Sequence, residues 1–205
     1  MTTASSSPTG RACTKIAPYQ KWLSLFTKIS FLGLIVFCIV GRQLARFSGK
    51  GMMLRVSTYP LAAFAVPLFW RFKLRGHPYP HLADAFILLP FVVDLFGNAA
   101  NLFDTIRIYD DAAHFVNWIF LVSGFGILLS SFNLSRLNIA MLSLGLGCAA
   151  AILWEIAEFI VLKTGTTHLF LTYEDTIGDL GLAFAGSFLG AFASAGIICQ
   201  KKPIA

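Results

Sequence analysis

Six long runs of apolar residues follow one another along the chain, and short polar segments separate them. They cover residues 23–40, 54–70, 82–103, 112–132, 139–162 and 177–199. Crossing a hydrocarbon layer of about 30 Å takes roughly 20 helical residues, and each run has close to that length. A backbone in lipid has to satisfy its own hydrogen bonds, so each run is expected to be helical. The pattern predicts an all-α, polytopic transmembrane helical bundle with about six transmembrane helices.

The segments outside the runs are short and leave no room for a water-soluble domain. Residues 21–200 are therefore expected to form one six-helix transmembrane domain. Residues 1–20 are rich in Ser, Thr and Ala and carry too little apolar surface to fold alone, so they are predicted to be a disordered cytoplasmic N-terminal tail. Residues 201–205 form a short C-terminal tail.

The amino-acid composition indicates that the partner of this chain is the lipid bilayer and not nucleic acid. Hydrophobic residues make up 57% of the 205 positions and charged residues only 13%, whereas a soluble domain is usually about a quarter charged. The mean hydropathy is +0.73. The net charge of +6 sits in tails and loops, where basic residues report orientation. Nine basic residues on the side of the termini against six on the other favour a multi-pass protein of the cell inner membrane with both termini in the cytoplasm.

Nine of the ten acidic residues are expected at the same membrane leaflet. The reason is topological, because the first, third and fifth loops of a serpentine chain emerge on one face. Asp84, which begins the third run, is the exception. The nine others are Asp94, Asp104, Asp110, Asp111, Glu155, Glu158, Glu174, Asp175 and Asp179. Ionisable residues at membrane depth indicate a functional site.

Within this group, polar residues repeat at helical spacing. Asp94, Asn98 and Asn101 lie at i, i+4 and i+7 and would share one stripe of a helix. Further sets about one turn apart are Asp110 and Asp111 before His114, Glu155 before Glu158, and Asp175 before Asp179. Two carboxylates one turn apart in a medium of low dielectric cannot both stay ionised and unpaired, so one is protonated or a cation lies between them.

One imidazole and several carboxylates from neighbouring helices match the ligand chemistry of zinc, manganese or iron in helical bundles. The predicted metal ligands are His114, Asp111, Glu155, Glu158, Asp175 and Asp179, and the predicted catalytic residues are Glu155, Glu158 and His114. Asp94, Asn98 and Asp110 are predicted to support them. The same residues also allow a structural polar network, in which the carboxylates pair with Arg107, Lys163, Asn98 and Asn101.

Two further segments carry predictions about partners. Gly186 and Gly190 form a GxxxG pair, and their missing side chains let a neighbouring helix approach closely. We expect them to pack against the fifth run, or else to form a homodimer. The segment 41–55 is predicted to lie along anionic lipid headgroups, or to neutralise the acidic cluster, through its basic residues Arg42, Arg46, Lys50 and Arg55.

Four short strings in a fixed order carry a resemblance to a known family. They are Asp94-x-x-Gly97-Asn98, Tyr109-Asp110-Asp111-Ala112-Ala113-His114-Phe115, Trp154-Glu155-Ile156-Ala157-Glu158-Phe159, and Asp175-Thr176-Ile177-Gly178-Asp179-Leu180 before a glycine-rich helix. Over residues 84–191 the chain resembles the YjdF-like family of uncharacterised bacterial integral membrane proteins, and more distantly the VanZ-like proteins. The resemblance implies a bacterial inner-membrane location and one site built from the last three strings. It implies no reaction and no substrate.

Three functions are compatible with these residues. The first is a metal-dependent site that acts on a lipid or headgroup, in which the metal activates a water. The second is a proton-coupled membrane transporter in which the same carboxylates titrate. The third is a non-catalytic membrane scaffold, which is favoured if the carboxylates are paired with Arg and Lys.

Overall fold

Helices alone build the part of the chain that the computed structural model describes, residues 17–164 and 172–197. In chain order they are α1 (Pro18–Val40), α2 (Met52–Thr58), α3 (Pro60–Lys73), α4 (His81–Ala99), α5 (Leu102–Thr105), α6 (Tyr109–Leu129), α7 (Arg136–Lys163) and α8 (Tyr173–Ile197). A short 3₁₀ turn, Ala45–Phe47, lies in the connection between α1 and α2. The all-α prediction is confirmed.

Six helical segments of the described chain are long and apolar enough to cross a membrane, as the sequence predicts. Five of them correspond to α1, α4, α6, α7 and α8, and the sixth is Met52–Lys73, which combines α2 and α3. Pro60 has no N–H to donate to the preceding turn, so the hydrogen-bond ladder is interrupted there. Tyr59 keeps helical backbone angles, and the chain therefore continues through one span.

The third apolar run contains a shorter helix than predicted. α4 ends at Ala99, and Asn101 follows with a left-handed backbone (φ 61°) that turns the chain into the short helix α5. The prediction that Asn101 continues the stripe of Asp94 and Asn98 is therefore wrong. Asn is among the few residues besides glycine that adopt this conformation readily, and the apolar residues after it concealed the turn.

The helix α6 lies at the centre of the bundle and packs against α4, α7 and α8. α1 and α3 pack in turn on α4. Large apolar side chains are exposed on the outer helices, among them Phe26 of α1, Phe72 of α3, Leu153 of α7 and Phe184 of α8. So much exposed aromatic and aliphatic surface fits contact with lipid and not with water.

The glycine pair of α8 packs against α6 and not against the fifth run, which forms α7. A Cβ atom at Gly186 would collide with the carbonyl oxygen of Phe115, and one at Gly190 with that of Ile119. The prediction that these glycines face the fifth run is therefore wrong, and α7 approaches α8 beside Ser187 instead. A homodimer through the two glycines would need a face that α6 already fills.

The first helix begins earlier than the predicted domain boundary. Pro18 starts α1, so the last three residues of the predicted tail, 18–20, belong to this helix. Proline is favoured in the first turn of a helix, where its missing N–H has no intrahelical partner to lose. Residues 1–16 of the predicted N-terminal tail and the predicted C-terminal tail, 201–205, lie outside the described residues.

Candidate functional site

A cavity of about 400 Å³ opens at one end of the bundle. The end of α4, the first turns of α6 and α8, the C-terminal part of α7 and the connection before α2 meet there. Its lining contains the carboxylates Asp94, Asp110, Glu158, Asp175 and Asp179, the aromatic residues Tyr59, Phe91, Phe103, Trp118 and Trp154, and the polar or basic residues Lys50, Arg55, Asn98, His114 and Asn117. The prediction that acids of separate runs collect at one end of the bundle is confirmed for these five.

Three side chains of the kind that bind metals converge in this cavity, Asp110 and His114 from α6 and Asp179 from α8. His114 Nε2 lies 3.9 Å from Asp110 Oδ1, and His114 Nδ1 lies 3.8 Å from Asp179 Oδ1. One ligand atom from each residue lies within 4.8 Å of the other two. The Asp179 side chain is buried, whereas that of Asp110 is 52% exposed. The group therefore extends from the protein interior to the surface.

The donor set of this group fits a divalent transition metal. One imidazole and two carboxylates are ligands that zinc, manganese and iron accept. Metal–ligand bonds of about 2.0–2.2 Å put neighbouring ligand atoms roughly 3–4 Å apart, so ligand atoms that lie up to 4.8 Å apart would close by roughly 1–2 Å. Among the predicted ligands the structure brings His114 and Asp179 together, and Asp110, predicted only to support them, completes the group.

The other predicted ligands lie around the group and not in it. Glu158 and Asp175 line the same cavity. Asp111 is exposed and is not among the residues found to line the cavity. Glu155 Oε2 is buried without a hydrogen-bond partner in the described chain.

A residue of its own helix holds Glu158 in place. Trp154 Nε1 donates a hydrogen bond to Glu158 Oε1 at 2.9 Å, one turn away along α7. The bond occupies one carboxylate oxygen and leaves the second for another partner. The tryptophan and the glutamate thus belong to the same wall of the cavity.

Arg55 and Asp94 form an ion pair, which agrees with the expectation that segment 41–55 neutralises the acidic cluster, although the sequence did not predict which acid Arg55 binds. Arg55 Nη1 lies 2.8 Å from Asp94 Oδ1 and donates to the Tyr59 hydroxyl at 2.7 Å. Tyr59 donates in turn to Asp94 Oδ2 at 3.0 Å, and Asn98 Nδ2 donates to the Asp94 carbonyl at 2.9 Å. A signal was present in the sequence, because Arg55 lies inside an apolar run, where a charged residue needs a partner.

The cations named in the structural-network alternative are placed elsewhere. Arg107 is exposed, and Lys163 Nζ lies over the ring of Phe159, 5.2 Å from its centroid. Neither forms an ion pair with an acid of the described chain. The network that does exist around Asp94 uses Arg55.

The connection between α1 and α2 closes one side of the cavity. Lys50 Nζ lies 2.7 Å from Asp104 Oδ2, and Arg46 Nη1 donates to a backbone carbonyl of α4 at 2.6 Å. Three of the four basic side chains predicted to meet anionic headgroups therefore bind groups at the acidic end of the bundle. They are Arg46, Lys50 and Arg55. Arg42 is exposed, and an interaction of this residue with anionic lipid stays a prediction.

A second ion pair, between the partly exposed Lys28 and the buried Asp84, lies at the opposite end of the bundle. Asp84 Oδ2 lies 2.6 Å from Lys28 Nζ and accepts a hydrogen bond from the Ser24 hydroxyl at 2.7 Å. These contacts join α1 to α4 and place Lys28 on the side of Asp84. Tyr79 lies in the connection before α4, and its burial and the Asp84 carboxylate raise its pKa.

Comparison with known proteins adds a family. A family model with the description Predicted membrane protein (DUF2238) matches residues 26–201, a stretch that contains every residue of the cavity. Neither a curated protein nor a solved structure matches the chain. The family match is consistent with the resemblance to YjdF-like proteins, and the more distant resemblance to VanZ-like proteins stays a prediction. The chain belongs to the membrane protein family DUF2238.

Proposed function

We propose that the cavity holds a divalent metal, zinc, manganese or iron, and acts through it on a lipid headgroup. The observation that carries this proposal is the convergence of Asp110, His114 and Asp179 in the wall of a cavity of about 400 Å³. A bound metal would supply a polarised water near neutral pH. The position of the cavity supports a lipid substrate, because Asp110 and Asp175 lie in the first turns of spanning helices, at the depth of headgroups.

In this proposal Asp110, His114 and Asp179 hold the metal, which removes His114 from the predicted acid/base groups. Glu158 remains the candidate acid/base residue because it lines the cavity. In the hydrolysis of a headgroup phosphodiester, a water oxygen bonds to phosphorus and the bond from phosphorus to the alcohol oxygen breaks. Glu158 accepts the proton of that water and passes it to the departing alcohol. Glu155 is given no part in this reaction, since it is not among the residues found to line the cavity.

Elemental analysis of the full chain, purified in nanodiscs from metal-replete cultures, tests the metal site. The parent is expected to carry a stoichiometric amount of zinc, manganese or iron, and His114→Ala and Asp179→Asn are expected to lose it. Asp111→Asn is the matched control, because it removes an exposed carboxylate next to Asp110 and should retain the metal. A parent without metal, or a His114→Ala variant that keeps it, contradicts the proposal.

A turnover measurement separates metal binding from the reaction. Phospholipid hydrolysis in mixed micelles is followed by mass spectrometry of the released headgroup. Glu158→Gln is expected to keep the metal and lose about 10²-fold or more in rate, the usual effect of removing an acid/base group. Glu174→Gln, which removes an exposed carboxylate outside the lining, is the control and should keep both metal and rate. A Glu158→Gln variant with the parent's rate would rule out the role given to Glu158.

We also propose that the protein lies in the inner membrane of a bacterium with both termini in the cytoplasm, as the count of basic residues favours. The cavity would then open toward the outside, because it lies at the end where the first, third and fifth connections emerge. A cysteine at the exposed Ser48, in a variant without native cysteines, tests this orientation. We expect a membrane-impermeant maleimide to label this cysteine in intact cells. Labelling only after permeabilisation would show the opposite orientation.

A further inference from the structure

The cavity carries more negative charge than its own cations neutralise. Lys50 is bound to Asp104 and Arg55 to Asp94. The other carboxylates of the lining form no ion pair with a lysine or arginine of the described chain, and they are Asp110, Glu158, Asp175 and Asp179. With all four carboxylates ionised, a divalent metal would cancel two of the negative charges and leave two. A ligand that carries a positive charge is therefore favoured over a purely anionic one.

Glu158 and Asp175 are the two carboxylates that remain outside the proposed metal group. They come from α7 and α8, which pack against each other. Arg55 lines the same cavity, but its guanidinium is occupied by Asp94 and Tyr59. The two carboxylates can therefore serve as counter-ions for a cation of a ligand.

Aromatic side chains line the cavity together with these carboxylates. Trp118 is buried and lines the cavity, and Trp154 lines it while its ring N–H is bound to Glu158. The electron-rich face of a tryptophan ring attracts an ammonium ion, most strongly where water is excluded. Tyr59 and Phe91 lie in contact with each other in the same lining, with ring centroids 4.9 Å apart. Carboxylates next to aromatic rings are the usual composition of an ammonium site.

One buried acceptor in the lining lacks a donor. Asn117 Oδ1 is buried without a hydrogen-bond partner in the described chain. Leaving a buried acceptor without a donor is costly, which indicates that a bound species supplies one.

We infer that the cavity takes the ammonium group of a zwitterionic phospholipid headgroup, with Glu158 and Asp175 as counter-ions and Trp118 and Trp154 as walls. This substrate class rests on the proposed function, since the phosphate of the same headgroup would lie at the metal group. The cavity volume of about 400 Å³ lies in the range of small-molecule sites, about 300–1,000 Å³. An anionic headgroup would leave both carboxylates without a counter-ion.

Binding of short-chain lipids to the full chain in detergent tests the inference. Dihexanoyl phosphatidylethanolamine is titrated into metal-free and metal-loaded protein, with dihexanoyl phosphatidylglycerol as the anionic probe and free ethanolamine as the amine without a lipid. Two of the four tryptophans line the cavity, so intrinsic fluorescence reports occupancy. We expect the ethanolamine lipid to bind at least about tenfold more tightly than the glycerol lipid, a difference of roughly 1.4 kcal/mol.

Variants assign the preference to the two carboxylates. Glu158→Gln and Asp175→Asn are each expected to lose most of the tenfold preference, and Asp175 is exposed at a helix start, where substitution is tolerated. Glu174→Gln, which removes the neighbouring exposed carboxylate outside the lining, should retain it. Equal or tighter binding of phosphatidylglycerol overturns the inference, and so does a preference that survives in both variants. If free ethanolamine binds as tightly as the lipid, the inference that a lipid headgroup supplies the amine is overturned.

The outcome for this inference is separable from that of the proposed function. If the protein binds no metal but prefers the ethanolamine lipid, the metal-dependent reaction is contradicted and the ammonium site is supported. If the protein binds a stoichiometric metal without preferring the ethanolamine lipid, the metal group is supported and the ammonium site is contradicted.

Discussion

Arg55 and Asp94 lie 2.8 Å apart between α2 and α4, and their ion pair forms part of the wall of the acidic cavity. Tyr59 closes the pair by donating to Asp94 and accepting from Arg55. The charge of Asp94 is thereby neutralised within the chain, and the carboxylates of α6, α7 and α8 are left for a ligand. The pair thus separates Asp94, which the chain neutralises itself, from the carboxylates that we propose bind a ligand.

Removing the arginine of this pair is expected to destabilise the protein. Arg55→Leu leaves Asp94, whose side chain is only 16% exposed, without its counter-ion and should lower the free energy of unfolding by about 3 kcal/mol. Asp94→Leu should have a similar effect, while the double variant should lose less than the sum of the two. Denaturant unfolding in detergent measures all three.

The control for this pair is Arg42→Leu, which removes an exposed arginine of the same connection and should change stability little. Additive losses in the double variant would show that the two residues do not stabilise each other.

Adding a methyl group at the interface of α6 and α8 is expected to separate the helices. In Gly186→Ala the new Cβ meets the Phe115 carbonyl, so stability should fall by about 1–3 kcal/mol. Gly181→Ala on the same helix is the control, since nothing lies within 4 Å of a Cβ there and the substitution should be neutral or gain up to about 1 kcal/mol. Thermal unfolding in detergent compares them, and equal melting temperatures would contradict the packing.

The turn after α4 should depend on the left-handed backbone of Asn101 (φ 61°). Asn101→Gly is expected to retain stability within about 0.5 kcal/mol, because glycine adopts this conformation without strain. Asn101→Val should cost about 1–3 kcal/mol, since a β-branched side chain clashes with the backbone there. Chemical unfolding of the three proteins gives the difference, and a valine variant as stable as the parent would exclude a left-handed turn.

Stability at alkaline pH should report the environment of Tyr79. Its pKa is raised in the folded state, so the folded protein keeps the phenol proton above the unfolded value of about 10. Above about pH 10 the unfolded state therefore binds fewer protons than the folded state. The contribution of Tyr79 to stability is fully present below about pH 10. It falls above that pH by about 1.4 kcal/mol per pH unit until the pKa of the folded state is reached. Tyr79→Phe should lack this part of the decline. Unfolding measured from pH 8 to 11 tests this, and parallel curves for the two proteins would disprove it.

Hydrophobic length and serpentine order were enough to determine the spans, because any segment of this length and composition has to be a helix in lipid. The same order predicted that acids of alternate connections lie at one end of the bundle, where five of them line the cavity. Asn101 shows the limit of this argument, since the end of a helix depends on a single backbone conformation that an apolar run conceals.

Tertiary structure alone decided which side chains meet. Asp110 and Asp111 are neighbours in the sequence but lie about 100° apart around a helix, and only the packing of α6 against α8 decides that Asp110 joins His114 and Asp179. The rotation of each helix about its own axis likewise gave Asp94 its partner Arg55. Many packed neighbours set this rotation together, whereas local spacing restricts it only to one face of a helix.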